Sequence, residues 1–459
     1  MHHKIDPGVS PMTAFRQLYY ADQEAFLYES LESVEKRGRY SFTGGKPFAK
    51  LITRQGKTEV TIKDQVFYPE GDPLSILQEM VKNNPDWPPV AAFSGGAVGY
   101  MAYDAVRLVE KIPDNNPDET GMPDLYFIFP SELIVFDHKE HMADLVVYSE
   151  DNPQILLMDL QKRVRGLTEE SNSALPGGSG ETPEPVSNMT KEAFCEMVEK
   201  AKEYILAGDI FQVVLSQRFQ FPMNIDPIHA YKALRLTNPS PYMYFLKLDD
   251  AHVLGSSPEI LVKLTRNQVT IRPLAGTRPR GKDTAEDQRL GEELLADEKE
   301  RAEHVMLVDL ARNDIGQVCD AGSVKPTDML FIERYSKVMH LVSNVVGKLR
   351  KDKDAFDLAR ATFPAGTVSG APKIRSMEII DELEGTRRGV YAGAIGYFGF
   401  NGDMDLCIAI RMMLVKNKMG YVQSGAGIVA DSVPENEYNE TRNKGLALMN
   451  ALKMIGGFK

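Results

Sequence analysis

Cysteine is scarce in this chain. Its 459 residues include three, Cys195, Cys319 and Cys407, scattered and without a Cys-x-x-Cys pair. That argues against a disulfide framework and for a reduced, cytoplasmic protein. Positive charge is also short: 53 Lys and Arg stand against 65 Asp and Glu, a net charge of −12. Nucleic acid and anionic membranes are therefore poor partners. No run of 18 apolar residues is present, so no membrane-spanning helix is expected. The opening residues Met1 to Asp6 lack the apolar centre of a signal peptide and predict a loose end. Two nucleotide motifs are missing as well. Residues 92–103 are glycine-rich without Gly-x-Gly-x-x-Gly spacing, and Gly177-Gly178-Ser179-Gly180 is not followed by Lys-Ser or Lys-Thr. There is no internal repeat.

What is present supports a full core. Apolar residues make up 43% of the chain, enough for one large domain or two or three ordinary ones. The clearest break in composition is 166–187, rich in Gly, Ser, Pro and Glu. It predicts a flexible linker between an N-terminal region, 1–165, and a C-terminal region, 188–459. Before the break, apolar patterning predicts two strands around a charged loop in 26–42, a hairpin in 57–68, and a packed strand in 92–103. Strands at 126–136 and 143–149 and helices at 74–83 and 152–165 follow the same logic. After it, a helix opens at Thr190 and stops at Gly208. In the strand 210–221, Gln212, Val214 and Ser216 share a face. Further strands are predicted at 252–264, 268–274, 335–348, 391–400 and 405–415. Loops fall at 275–281 and 363–373, and one long helix runs from 284 to 312. In 405–415, Cys407, Ala409 and Arg411 share a face.

The chemistry concentrates in 423–444. A strand ends near Val422, and Gly425 and Gly427 leave backbone amides open to an anion. Ser432 and Pro434 mark a helix start. On that helix Glu437, Glu440 and Lys444 fall on one face. The pattern recurs in 298–314, where Glu300 and Glu303 share a face. If the two pairs met, each repulsion would cost about 4 kcal/mol at ~4 Å and an effective dielectric near ~20. A divalent cation removes that penalty. All-oxygen ligands without a His/Cys cluster point to Mg²⁺ rather than Zn²⁺.

Five stretches in order carry a resemblance. They are Gly-Ser-Ser-Pro-Glu (255–259), Arg-Pro-Leu-Ala-Gly-Thr-Arg-Pro-Arg-Gly (272–281), Met-Leu-Val-Asp-Leu-Ala-Arg-Asn-Asp-Ile-Gly (306–316), the loop 363–373 and the stretch 423–444. With them the chain resembles the chorismate-utilising enzymes from about residue 26 to 450, most closely the anthranilate synthase component I branch. The resemblance implies an α/β (α+β) fold, a large sandwich of two stacked antiparallel sheets with helices outside. The implied reaction is Mg²⁺-dependent amination of chorismate by ammonia, then pyruvate elimination to anthranilate. It makes Glu259 the general acid and His340 a proton-transfer residue, with Thr277 and Gln212 also catalytic. Thr367, Tyr391, Arg411, Gly425, Ala426, Gly427 and Lys444 become substrate contacts, and Glu300, Glu303, Glu437 and Glu440 the Mg²⁺ acids. A separate glutamine amidotransferase subunit is the implied nitrogen source. Tryptophan is the implied feedback inhibitor, at Glu29, Ser30, Asn238, Pro239, Ser240, Pro241, Tyr242, Met243 and Cys407.

Two positions bear on the reaction. Water-adding members of the family carry a Lys where this chain has Gln212, and many aminodeoxychorismate synthases carry a Lys where it has Ala275. Both favour ammonia and anthranilate. Some aminodeoxychorismate synthases also carry Ala, so their component I is the alternative. A silent tryptophan-binding subunit is disfavoured by the intact Glu259, His340 and acid pairs. A Mg²⁺-dependent phosphohydrolase is disfavoured by the missing phosphate loop.

Overall fold

The computed structural model describes residues 1–31, 38–83, 91, 93–170, 184–335 and 338–455. The middle of the charged loop in 26–42, Ala92 and most of the expected linker lie outside them. Alternating apolar residues make strands with two buried faces, and among the described residues 22 strands join in one antiparallel network. Tyr40–Arg54 and Leu125–Asp137 pair along most of their length and form its spine, with a register slip between Pro47 and Ala49. From one end the network continues through Glu24–Glu29, Tyr242–Leu248, Ala251–Ser257, Met412–Lys416, Met419–Ile428 and Gln212–Pro222. From the other it continues through Gly96–Met101, Ala394–Gly399, Met404–Ile408, Ile260–Thr265, Gln268–Ile271 and Val338–Lys348.

These arms stack as two layers. Tyr28 spans the gap and donates to the Gly396 carbonyl at 3.0 Å. Tyr242 does the same to Asp405 Oδ1 at 3.0 Å. Between the layers lies the main core, with Phe26, Tyr100, Leu246 and Phe398 fully buried. A second core sits under Pro11–Leu18, Pro153–Arg165, Pro227–Thr237 and Pro434–Leu452, built on Phe15, Leu160, Leu234 and Leu452. Burying each such side chain contributes about 1.5–3 kcal/mol. The stacked sandwich with outer helices is the fold the sequence predicts. Strands from 1–165 are woven into those of 188–459: Glu24–Glu29 pairs with Tyr242–Leu248, and Gly96–Met101 with Ala394–Gly399.

Other expectations need correcting. The supposed loose end forms the strand His2–Ile5 against Met142–Val147. In the supposed linker, Val186–Ser187 pairs with Gln212–Pro222, and Glu169 accepts from Ser10 and Thr13. The strand 252–264 breaks at Pro258, which has no N–H for a ladder. The helix 284–312 is two, Thr284–Ala296 and Glu298–Gly316, because Asp297 caps the second by accepting from the Lys299 and Glu300 amides. The loop 275–281 is mostly the strand Leu274–Pro279, bulged at Gly276 and paired with Val338–Lys348. Lys325–Arg334 is a strand that the patterning does not reveal, because its residues are mostly exposed and its apolar residues, Met329 to Ile332, form one run and do not alternate. The loop 363–373 contains a short helix, Gly366–Ser369.

Candidate active site

The glycines of 423–444 do not turn the chain. The strand Met419–Ile428 runs through them, paired with Gln212–Pro222. They are glycine because side chains cross there. A Cβ on Gly427 would lie 2.5 Å from Gln212 Nε2, and one on Gly425 3.0 Å from the Tyr391 hydroxyl. Beyond Val422 the second edge of this strand has no strand partner among the described residues, so amides are open along an edge and not in a turn. Ala426 points into the core. Ser432 is not the N-cap, which is Val433; its hydroxyl instead accepts from the Val429 amide at 3.1 Å.

The helices Glu298–Gly316 and Pro434–Leu452 bring Glu303 within electrostatic reach of Glu440, and a ring of neighbouring groups lies around them. Gln212 Nε2 donates to Glu303 Oε1 at 3.1 Å. Burial raises the Glu303 carboxyl, and the charges of Glu300 and Glu440 raise it further. Glu440 pairs with Lys444 at 2.6 Å, and Lys444 donates to the Gly425 carbonyl at 3.0 Å. Tyr391 closes over Gly425 and is pushed to about 12 by burial, with Arg411 beside it pulling the other way. Arg411 in turn acts on His340. His340 Nδ1 lies 2.9 Å from the Gly276 carbonyl and 3.1 Å from Thr277 Oγ1. A carbonyl only accepts, so Nδ1 carries the proton and Nε2 is the free base. Burial lowers the His340 pKa and keeps the ring neutral. Gly276 completes the ring, because a Cβ there would touch Glu300 Oε2 at 2.9 Å.

Glu259 stands apart in chemistry. It is buried, and burial pushes its carboxyl up to about 8, opposed in part by the Thr367 hydroxyl facing it. Thr367 Oγ1 is itself buried and forms no well-aligned hydrogen bond. The two residues share a cavity of about 40 Å³ with Ile408 and Asp314. Arg411 is the opposite case. Its guanidinium is partly buried and has no hydrogen bond or ion pair among the described residues. Its backbone is left-handed at φ +50, and it sits where the expected strand 405–415 breaks into Met404–Ile408 and Met412–Lys416. Cys407 and Arg411 therefore do not share a strand face.

Among the described residues no three His, Cys, Asp or Glu side chains converge closely enough to hold a metal ion. Cations of the chain stand in between. Arg278 reaches Glu300 at 3.1 Å and Asp297 at 2.9 Å, while Lys444 holds Glu440. Ser432 lies beside Glu437, whose carboxyl is raised first by burial. Arg278 lies inside the 272–281 motif, but its spacing assigns it no role. The same holds for Arg388 and Glu384. Their buried pair at 2.6 Å stands behind Tyr391, with Arg388 donating to the carbonyls of Val368 and Val214. Nothing in spacing marks such a pair in advance.

A second cavity, about 710 Å³, opens between the layers. Glu29, Ser30, Pro241, Tyr242, Met243 and Cys407 line it; Asn238, Pro239 and Ser240 do not. Asn238 and Ser240 turn instead to Ser256 on the next strand, at 3.1 and 3.0 Å. The Glu29 carboxylate is already held by Arg235 at 3.0 Å and Tyr231 at 2.8 Å. Two donors thus already share this carboxylate. Ser30 Oγ is buried and has no hydrogen-bond partner among the described residues.

These are the features of one enzyme family. The family model for chorismate binding enzymes matches residues 23–450, and the chain belongs to that family. It is 46% identical to anthranilate synthase component 1 of Aquifex aeolicus over 462 aligned residues, covering 97% of this chain and 92% of that one. With the Thermus thermophilus protein of the same name it shares 45%, covering 97% and 96%. The solved anthranilate synthase component I from Streptococcus pneumoniae superposes with a TM-score of 0.81 at 39% identity, covering 96% and 97%. The Escherichia coli isochorismate synthase MenF, at 20% identity and a TM-score of 0.74, shares the fold.

Proposed function

We propose that this chain is an anthranilate synthase component I of the cytoplasm. It converts chorismate and ammonia to anthranilate, pyruvate and water, the first step of tryptophan biosynthesis. The observation that carries this reading is Glu259. A carboxyl held near 8 by burial remains protonated at neutral pH and can give its proton to the leaving 4-hydroxyl. Arg411, which has no ion pair among the described residues, is suited to bidentate hold of the enolpyruvyl carboxylate. Lys444, Tyr391 and the open edge at Gly425 and Gly427 suit the remaining polar groups of the substrate. His340, neutral with Nε2 free, moves the proton during pyruvate elimination, and Thr277 holds its ring. Gln212, in place of a basic Lys, leaves water unactivated and ammonia as the nucleophile.

By donor chemistry Glu300, Glu303, Glu437 and Glu440 suit Mg²⁺, which would take the place that Arg278 and Lys444 now hold beside Glu300 and Glu440. The four carboxylates are hard oxygen donors, and two of them are raised by burial and by neighbouring carboxylate charge. Held by these carboxylates, the ion would supply positive charge and Lewis acidity toward the ring carboxylate of chorismate. The 710 Å³ cavity, with its mixed lining, suits tryptophan as a feedback inhibitor. Ammonia comes from a separate glutamine amidotransferase subunit. Cys319 and Cys407 are buried, and Cys195 lies on the helix Lys191–Leu206 and in no glycine-rich nucleophile turn. The test is product analysis with chorismate, ammonium and Mg²⁺. Fluorescent anthranilate of the correct mass supports the reading, and aminodeoxychorismate overturns it.

A further inference from the structure

The contacts given so far hold the His340 ring at one edge. Its Nδ1 meets the Gly276 carbonyl at 2.9 Å and Thr277 Oγ1 at 3.1 Å, both on the strand Leu274–Pro279. An imidazole held only there can pivot about that edge and swing Nε2 away from a substrate. A second brace stands on the other flank. In the neighbouring strand Lys325–Arg334, Glu333 lies directly opposite His340, so the two side chains stand on one face. Just beyond that strand, the Tyr335 ring packs edge-on against the imidazole, with centroids 5.5 Å apart and planes at 67°. Tyr335 is itself clamped. Its hydroxyl donates to Glu333 Oε2 at 3.0 Å and its amide to the Val338 carbonyl at 2.8 Å, while its carbonyl accepts from Arg280 Nη1 at 2.7 Å. Glu333 Oε2 also accepts from Arg272 Nη2 at 3.2 Å, and Arg272 Nε donates to Asn344 Oδ1 at 2.6 Å.

We propose that Tyr335 and Glu333 are positioning residues that aim His340 Nε2 during pyruvate elimination. The inference rests on the proposed two-step reaction. In its second step the ring carbon that took the amine gives up a proton as the neighbouring C–O bond to the enolpyruvyl group breaks. The proton passes to the departing enolate, which leaves as pyruvate. Amination draws instead on the Glu259 carboxyl, which faces Thr367 in the small cavity. Proton transfer falls steeply when its base is misplaced, by up to ~10²-fold for about 1 Å. Loosening the brace therefore slows elimination more than amination, and the aminated intermediate escapes with its enolpyruvyl group still attached. A brace that only held the sheet together would slow both steps alike.

The test uses the full chain with chorismate, ammonium and Mg²⁺, and separates anthranilate from the aminated intermediate by mass. The variants are Tyr335→Leu and Glu333→Leu, with Tyr335→Phe and Glu333→Gln as conservative partners. Each leucine variant should form anthranilate about tenfold or more slowly, keep the chorismate KM within about twofold, and release the intermediate as a larger share of product. Tyr335→Phe keeps the ring against His340, and Glu333→Gln keeps an oxygen for the Tyr335 hydroxyl. Both should fall between wild type and the leucine variants, with the intermediate's share raised about twofold. A leucine variant with the product share of wild type overturns the proposal, whether its turnover falls or its KM rises. Should the leucine variants fail to fold, the conservative pair decides, and a wild-type share in both overturns it. A wild type that consumes chorismate without forming anthranilate instead overturns the reading of the reaction itself.

Discussion

Glu259 and Arg411 sit at neighbouring crossings between the two layers. Pro258 and Glu259 separate Ala251–Ser257, in one layer, from Ile260–Thr265 in the other. Ala409 to Arg411 separate Met404–Ile408 from Met412–Lys416 in the same way. The crossings are bonded to each other: the Ile408 amide donates to the Glu259 carbonyl at 3.0 Å, and the Ser256 amide to the Arg411 carbonyl at 3.0 Å. A strand that changes layers must interrupt its ladder there. The side chains at that point belong to neither face and enter the seam. The acid and the cation proposed for catalysis are thus placed by one geometric requirement.

Glu259→Gln should abolish amination while the fold persists. The expected loss is about 10²–10⁴-fold in kcat, the usual worth of a general acid. In wild type the rate should fall as pH rises through about 8, where the carboxyl ionises. Stability moves the same way. A carboxyl raised on folding binds its proton more tightly in the native state, so its contribution is lost as pH climbs from the unfolded to the folded pKa. Glu259→Gln lacks that loss. Its unfolding free energy should exceed that of wild type by a margin that widens up to about pH 8, reaching at most about 5 kcal/mol, and its melting temperature should rise with it. Thermal melts across pH check this, and a margin independent of pH would contradict it.

Arg411→Gly should leave the chain at least as stable. No ion pair among the described residues is broken, and the left-handed backbone that costs an L-residue about 1–2 kcal/mol becomes free. Chorismate binding should suffer, with KM raised roughly 10–100-fold for the lost charge-assisted contact. A destabilised variant with unchanged KM would make Arg411 structural.

Regularity decided what was legible in the sequence. Glu437, Glu440 and Lys444 obey helical spacing, so their shared face needed only the helix to exist. The strands of 126–136 and 143–149 announced themselves by apolar content. The failures lie where tertiary structure overrides local pattern. Gly425 and Gly427 look like a turn but are bare because Gln212 and Tyr391 cross them. Cys407 and Arg411 alternate like one strand face, yet the chain changes layers between them. Arg388 and Glu384 are four apart on the sequence and looked like any surface pair. Only the fold buries them.

The acid pairs should bind Mg²⁺ directly. Titration of the chain without substrate, followed by calorimetry, should give about one ion per chain, and Glu303→Gln or Glu440→Gln should weaken it about tenfold or more. Turnover should stop in excess chelator and return on adding Mg²⁺. Full activity in chelator, with residual metal excluded by elemental analysis, would remove the metal from the mechanism.

Arg388→Met should be strongly destabilising. It strands the Glu384 carboxylate, which the Ser216 amide and hydroxyl also contact at 2.7 and 2.8 Å, and frees two buried carbonyls. Breaking one side of such a pair costs about 3–5 kcal/mol. The double variant Arg388→Met with Glu384→Leu should recover part of that loss. Denaturant titration of the two variants decides it, and equal stability in both would mean the pair is not coupled.

Tryptophan should inhibit by displacing the strands that carry Glu259. The 710 Å³ cavity and the small cavity beneath Glu259 share Ile260 and Arg272 as walls. Pro258 and Cys407 face the first, while the adjoining Glu259 and Ile408 face the second. A ligand that wedges the first cavity therefore pushes on both crossings at once, and through them on Arg411. Its binding energy differs between the open and wedged arrangements, which is what couples two sites. Ser30 supplies a buried hydroxyl with no partner among the described residues, ready for a polar group of the amino acid. Ser30→Leu removes that contact and fills the space, so inhibition should weaken about tenfold or more while turnover without tryptophan stays within about twofold. Steady-state rates over a tryptophan titration measure both. A wild type indifferent to tryptophan at about millimolar concentration would sink the idea and leave the cavity without this ligand.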